Sequence, residues 1–197
     1  QVVVAAYSDY LTGADDLQLP EVVTAPRQSI SERGVTLWED ALKLGLAPGP
    51  HRAGADDLCV MPYTSGTTGK PKGCIHTHRT VMSTTIAGAL WIDMKAGSVI
   101  LCSLPLFHVS GMQCSMNQPI YRGSTIVLLT RWDRDTASAV IERHKVDGWT
   151  NISTMAIDFL SNPDLGRYDI TSMKHIGGGG AAMPEAVAQR LQDLTGL

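Results

Sequence analysis

The chain has 197 residues, a net charge of −3, a pI near 6.0 and a hydrophobic fraction of 44%, enough for one large domain or two small ones with a substantial core. The slight acidity argues against a nucleic-acid binder, which would show a basic face, and no apolar run approaches the length of a membrane span. Cys59, Cys74, Cys102 and Cys114 form no C-x-x-C pair, which points to reduced thiols in a cytoplasmic protein rather than to a disulfide framework.

In chain order, Gln1 leads straight into VVVAA (2–6), which reads as a buried strand. There is no initiator Met and no charged leader with a cleavage site. A whole protein rarely starts inside a core strand, so the expectation is a fragment or an expressed subdomain. Residues 8–34 and 46–57, rich in Gly, Pro and Asp, read as loop or an irregular subdomain edge. Between them TLWEDALKLG (36–45) predicts a helix, with Thr36 and Glu39 as a capping box and Gly45 as the C′ residue. Strands are predicted at CVMPY (59–63), SVILC (98–102), STIVLL (124–129) and KHIG (174–177). Helices are predicted over 79–92, over 133–145 with Asp133 as N-cap, over 153–161, and over PEAVAQRLQDLTG (184–196), with Pro184 in the first turn and Gly196 closing it. This alternation predicts an α/β fold with a largely parallel sheet flanked by helices.

The most specific feature is YTSGTTGKPKG, residues 63–73, following a predicted strand. Thr64, Ser65, Thr67 and Thr68 supply hydroxyls, Gly66 and Gly69 free the backbone, and Lys70 and Lys72 add charge. Glycines let successive N–H groups converge into an anion-binding nest, and small hydroxyls add donors without blocking a phosphate. Lysines supply point charges. The parts make a polyphosphate cradle, although composition alone would fit a solvated linker equally well. It is not a Walker A loop: only Thr67 and Thr68 separate Gly66 from Gly69, and Pro71 keeps a helix from starting at Lys70.

The order of residues in this string resembles, at all eleven positions, the signature loop of the adenylate-forming superfamily: acyl- and aryl-CoA ligases, firefly-type luciferases and peptide-synthetase adenylation domains. Two further segments match in the expected order. LPLFHVSG (104–111) resembles the family's aromatic motif beside the acyl pocket, and KHIGGGGAAMPEAV (174–187) resembles the segment whose backbone lies against adenine. TMAIDFL, after WTNIS, looks like the acyl-pocket helix, but Ser153 stands where the family usually has Pro, which touches fine pocket geometry. The resemblance spans roughly residues 56–190.

The resemblance implies part of the large N-terminal domain of an adenylate-forming enzyme over residues 1–197, without its C-terminal domain. It implies ATP, Mg²⁺ and coenzyme A as cofactor and co-substrates and a small carboxylic acid as substrate; a homodimer is compatible with it. It assigns Thr64, Ser65, Gly66, Thr67, Thr68, Gly69, Lys70 and Lys72 to the ATP phosphates and Thr64 to Mg²⁺. Gly179, Gly180, Ala181 and Ala182 go to adenine, Phe107, His108 and Met155 to the acyl pocket, and His108 to the catalytic position. Peptide-synthetase domains commonly carry Asp at the His108 position to pair with an α-ammonium, so His108 implies a simple carboxylic acid. The family's Tyr-Gly-x-Thr-Glu string, ribose-binding Asp and late catalytic Lys are not in the sequence.

Other residues have plainer readings. His76 and His78 would share a strand face, as zinc ligands can, but no third ligand has recognisable spacing. Met112, Cys114 and Met116 read as core filler. A kinase lacks support, for want of a catalytic-loop Asp-Asn or Asp-Phe-Gly string, while a non-catalytic nucleotide-binding or interaction module stays open.

Overall fold

A computed structural model describes residues 2–13, 16–64 and 69–197, in two units, Gln1–Arg52 and Ala53–Leu197. In the first, β1 (Val2–Val4) pairs in parallel with β2 (Val35–Leu37), Val3 opposite Thr36; α1 (Glu21–Thr24) and α2 (Trp38–Lys43) accompany them. Two expectations are corrected here. Val2 and Val3 are 56% and 49% exposed, so β1 is not a buried strand; a two-stranded pair with two short helices has too little structure to cover both its faces. Thr36 does not cap a helix: it is a strand residue, and α2 begins after Leu37 with no side-chain cap. The β-branched pair Val35-Thr36 suits the ladder to β1 better than a helix start. Gly45, at φ +59°, does close the turn after α2, as expected.

The second unit opens with β3 (Leu58–Val60), which runs antiparallel to β4 (His76–Thr77). The strand expected at 59–63 is therefore the arm of a hairpin-like pair and not part of the parallel sheet. Thr77 is the N-cap of α3 (His78–Trp91), its hydroxyl accepting the Thr80 N–H at 3.3 Å. Then come β5 (Val99–Cys102), a π-helical segment Gly111–Asn117, α4 (Gln118–Arg122), β6 (Thr125–Leu128), α5 (Arg134–His144), β7 (Gly148–Asn151), α6 (Ser153–Leu160), β8 (His175–Gly178) and α7 (Glu185–Thr195).

The sheet order is β6-β5-β7-β8 with every pairing parallel, the α/β architecture expected from the alternation. Side-chain alternation gives each face its own cover. Ile100 faces Ala89 of α3 and Met94. Leu101 and Trp149, its register partner, point to the other face and are fully buried. There Trp149 stacks on Trp132 at 5.5 Å and meets Phe159 of α6 at 5.4 Å.

Asp133 caps α5 as expected, its carboxylate accepting the Thr136 backbone N–H at 2.7 Å. That bond holds the carboxyl below the usual carboxylate range. Asp133→Ala is expected to cost about 1 kcal/mol at pH 7 by urea unfolding. Because the folded pKa is depressed, the wild-type advantage is complete above the unfolded value, about 3.9. It fades as pH falls through the folded pKa, so the two proteins converge in acid.

Candidate active site

The chain leaves β5 for β6 on one side, then crosses back to place β7 on the other side of β5. Such a reversal opens a crevice beyond the carboxyl ends of the two strands, where open parallel sheets bind ligands. The residues delivered there are Ser103 and the 104–111 turn after β5, Ile152 and the first turn of α6 after β7, and residues 179–182 after β8.

Side-chain hydrogen bonds lock the floor. Buried Trp149 donates its indole N–H to Ser103 Oγ at 2.9 Å, and Ser103 Oγ lies 3.8 Å from Met155 Sδ. Met155, assigned to the acyl pocket, is thus half-buried at the carboxyl end of β5. Trp132, stacked on Trp149, donates to Asp158 of α6 at 2.8 Å, so α6 is tied to the sheet from two directions.

His108 is exposed. Its Nδ1 accepts the Ser110 backbone N–H at 3.2 Å, which leaves Nε2 to carry the proton of the neutral ring and to act as a donor. Phe107 is 93% exposed, at the rim of the crevice rather than inside a closed pocket. The turn carrying both is set by Gly111: a Cβ there would lie 2.3 Å from the Pro105 carbonyl oxygen and 2.8 Å from that of Leu104. Only glycine fits, and the chain passes directly into the π-helical segment, a form that recurs at functional sites. Met112, Cys114 and Met116 sit half-buried on that segment.

The 63–73 loop is pinned at its base. Thr64 N–H donates to the Lys72 carbonyl at 2.9 Å, and Lys72 N–H to Thr64 Oγ1 at 3.2 Å; Tyr63 bridges Gly73. Thr64, Gly69, Lys70 and Lys72 are exposed. Ser65, Gly66, Thr67 and Thr68 lie outside the described residues. Pro62 and His76, at the foot of the loop, share a cavity of about 320 Å³ with Val109, Ser110 and Met112. The structure thus brings the loop's base and the His108 turn together.

Gly179, Gly180, Ala181 and Ala182 are all exposed after β8. Gly179 N–H donates to the Asn151 carbonyl at 3.3 Å, and Gly180 sits at φ +82°, where glycine is favoured. Bare backbone and methyl groups here leave room for a flat ring.

The H-x-H pair is not two strand positions, since β4 ends at Thr77 and His78 opens α3. Among the described residues no group of three or more His, Cys, Asp or Glu is placed to hold a metal ion. Thr64 Oγ1 is a hard oxygen of the kind Mg²⁺ takes, and it already accepts one N–H. It fits Mg²⁺ as a single ligand to an ion held mainly by phosphate oxygens and water. The four cysteines are free thiols, and burial pushes those of Cys102 and Cys114 up, away from a nucleophilic role.

A parallel α/β domain whose sheet carries a histidine turn and a glycine-rich segment at its carboxyl end, with the base of a Gly/Thr/Lys loop beside that turn, has the architecture of the adenylate-forming class. The chain belongs to the AMP-binding enzyme family, whose profile matches residues 5–197. That match takes in most of the first unit, which its own sequence left unassigned. The chain is 37% identical over 142 residues to a long-chain-fatty-acid–CoA ligase of Bacillus subtilis (strain 168), covering 71% of this chain and 25% of that protein. It is 30% identical over 144 residues to 4-coumarate–CoA ligase 3 of Arabidopsis thaliana, covering 71% and 26%. The N-terminal domain of FACL13 from Mycobacterium tuberculosis, solved with an inhibitor, superposes with a TM-score of 0.73 at 26% identity, over 98% of this chain and 47% of that one. The chain spans about a quarter of the length of the curated relatives it matches. Among the described residues no helix is long and apolar enough to cross a membrane.

Gly111→Ala forces a Cβ into two backbone carbonyls. It is expected to destabilise the fold by about 1–3 kcal/mol, read by chemical denaturation. Hydrogen exchange should rise first in residues 104–112.

Proposed function

We propose that the enzyme carrying this chain activates a simple carboxylic acid with ATP and passes the acyl group to coenzyme A. A carboxylate oxygen attacks the α-phosphorus, the bond to the bridging oxygen breaks and pyrophosphate leaves. The coenzyme A sulfur, losing its proton, then attacks the acyl carbon and releases AMP. The observation that supports this reading is that the turn 104–111 and the glycine-rich segment 179–182 both leave the carboxyl end of one parallel sheet, with the base of the 63–73 loop beside that turn across one cavity.

Thr64, Ser65, Gly66, Thr67, Thr68, Gly69, Lys70 and Lys72 hold the β- and γ-phosphates and so the leaving pyrophosphate. Thr64 would meet the Mg²⁺ that enters with the nucleotide, and that ion would supply charge neutralisation. Gly179, Gly180, Ala181 and Ala182 flank adenine. Phe107, His108 and Met155 line the acyl site, with Nε2 of His108 donating to the carboxylate. Catalysis of the first step is positioning and charge stabilisation. Residues 1–197 form part of the larger N-terminal domain, the smaller C-terminal domain lying outside this chain; the enzyme works in the cytoplasm. The chain alone supplies the cradle but not the remaining charged groups, so it runs the reaction near background. Transfer to an acceptor other than coenzyme A is the second reading, favoured by the breadth of the AMP-binding family.

The test is acid-dependent ATP–pyrophosphate exchange by the full-length enzyme with fatty, short-chain and aryl acids. Exchange is expected with at least one class, and none across the panel would overturn the reading. A neutral imidazole offers no carboxylate to an α-ammonium, so α-amino acids are expected to exchange poorly; equal activity with them would remove His108 from the acyl site. His108→Phe is expected to lower kcat by about 10²-fold, the cost of one preorganised donor.

A further inference from the structure

Asn151 ends β7 with a side chain that has no solvent exposure, and neither its Nδ2 nor its Oδ1 has a hydrogen-bond partner. A buried carboxamide with an empty donor and an empty acceptor is costly and rare in native folds, and its position asks for a reason. An apolar residue of the same shape would fill the space without that cost. Buried Trp149 reaches Ser103 and Thr85 reaches Gln113, while Ser115 Oγ on the π-helical segment is, like the Asn151 carboxamide, without a partner.

The neighbourhood supplies the reason. Asn151 is the register partner of Gly178, and its carbonyl takes the Gly179 N–H at 3.3 Å. Its Oδ1 lies only 4.0 Å from where a Cβ of Gly178 would stand, with Met183 Cε 3.4 Å from the same point. The carboxamide is therefore packed beside the root of 179–182, a segment of exposed backbone whose N–H and C=O groups are of the kind it lacks. Next to it, between β8 and α7, a cavity of about 340 Å³ lined by Gly178, Ala181 and Met183 leaves the segment room to move inward.

We propose that Asn151 is a positioning residue: when nucleotide seats against residues 179–182, the segment settles onto the sheet and the Asn151 carboxamide takes up its backbone N–H and C=O groups. This rests on the reading that this segment flanks the nucleotide. Asn151 does not touch the ligand; it fixes what does. The idle state keeps the amide unsatisfied, and the loaded state relieves it, which couples nucleotide binding to order in the segment.

The test uses the full-length enzyme with Asn151→Leu, which keeps the shape and removes the polar atoms, and Asn151→Asp, which keeps one acceptor. Thermal unfolding without nucleotide, KM for ATP, and hydrogen exchange of residues 178–184 with and without ATP are measured. Asn151→Leu is expected to unfold at the same or a higher temperature yet to raise KM for ATP about tenfold, the size of one lost buried hydrogen bond. Nucleotide-induced protection of 178–184 should disappear, kcat at saturating ATP should move little, and Asn151→Asp should recover part of the affinity. A lower unfolding temperature for Asn151→Leu would overturn the proposal, since the amide would then be satisfied within the nucleotide-free enzyme. Unchanged KM and protection in both variants would overturn it too. If the wild-type segment gains no protection from ATP, the nucleotide assignment of 179–182 fails as well, a result distinct from protection that persists without Asn151.

Discussion

The hydrogen bond from the Trp149 indole to Ser103 Oγ joins the two central strands where the chain reverses direction across the sheet. Both partners are buried, so the bond is made in a medium where losing either partner leaves an unsatisfied polar group. Everything at the crevice hangs from it. Ser103 fixes where β5 ends and the His108 turn begins. The indole ring, stacked on Trp132 and tilted against Phe159, fixes where β7 hands over to α6. Met155 packs against the same hydroxyl. Strand pairing alone would set the heights of these elements; the buried indole sets their rotation, and with it which side chains look into the crevice.

How much of this was legible in the sequence depended on what kind of signal each element carries. The four helices from α3 onward that have a regular apolar stripe or a cap were readable, because capping and periodicity are local. Asp133, which does accept its N3 amide, is the clearest instance. β5, β6 and β8 were readable as short apolar runs. β7 was not: GWTN holds a glycine, a threonine and an asparagine, and nothing in four residues announces a central strand. Its burial comes from one large side chain, Trp149, and from neighbours on both sides. Thr36 misled in the opposite direction, since a capping box is a local pattern and its pairing with Val3 is a contact across 33 residues.

The candidate site shows the same division. The order of hydroxyls, glycines and lysines in 63–73 carries the family resemblance because that string is built from consecutive residues, and the structure describes its base while Ser65, Gly66, Thr67 and Thr68 lie outside the described residues. The hydrogen bond that orients His108 was not visible, although His108 and Ser110 are two apart, because it needs the tight turn that Gly111 permits. The π-helical segment has no such local signal: Met112, Cys114 and Met116 read only as core filler, and the structure places them half-buried on a helix with a wider turn. Neither Asn151 nor Ser103 carries any sequence signal, as their importance comes only from where the strands end.

The electrostatics of the crevice follow from the same geometry. A parallel sheet contributes little net dipole of its own, so the charge that meets an anionic ligand has to come from side chains and from loop backbone. Lys70 and Lys72 are exposed, while Thr64 and Lys72 are held at the loop's foot by the Thr64 N–H on the Lys72 carbonyl and the Lys72 N–H on Thr64 Oγ1. The His108 ring is oriented by a backbone donor and not by a carboxylate, so it brings a hydrogen-bond donor without a negative partner. On the proposed reading a substrate carboxylate meets donors and positive charge and no fixed anion from the lysine-bearing loop or from this turn. An ammonium group would find no counter-charge on them. On the proposed reading, selection for plain acids is thus a property of what orients one imidazole, and it was set when Gly111 allowed the chain to fold back onto Pro105.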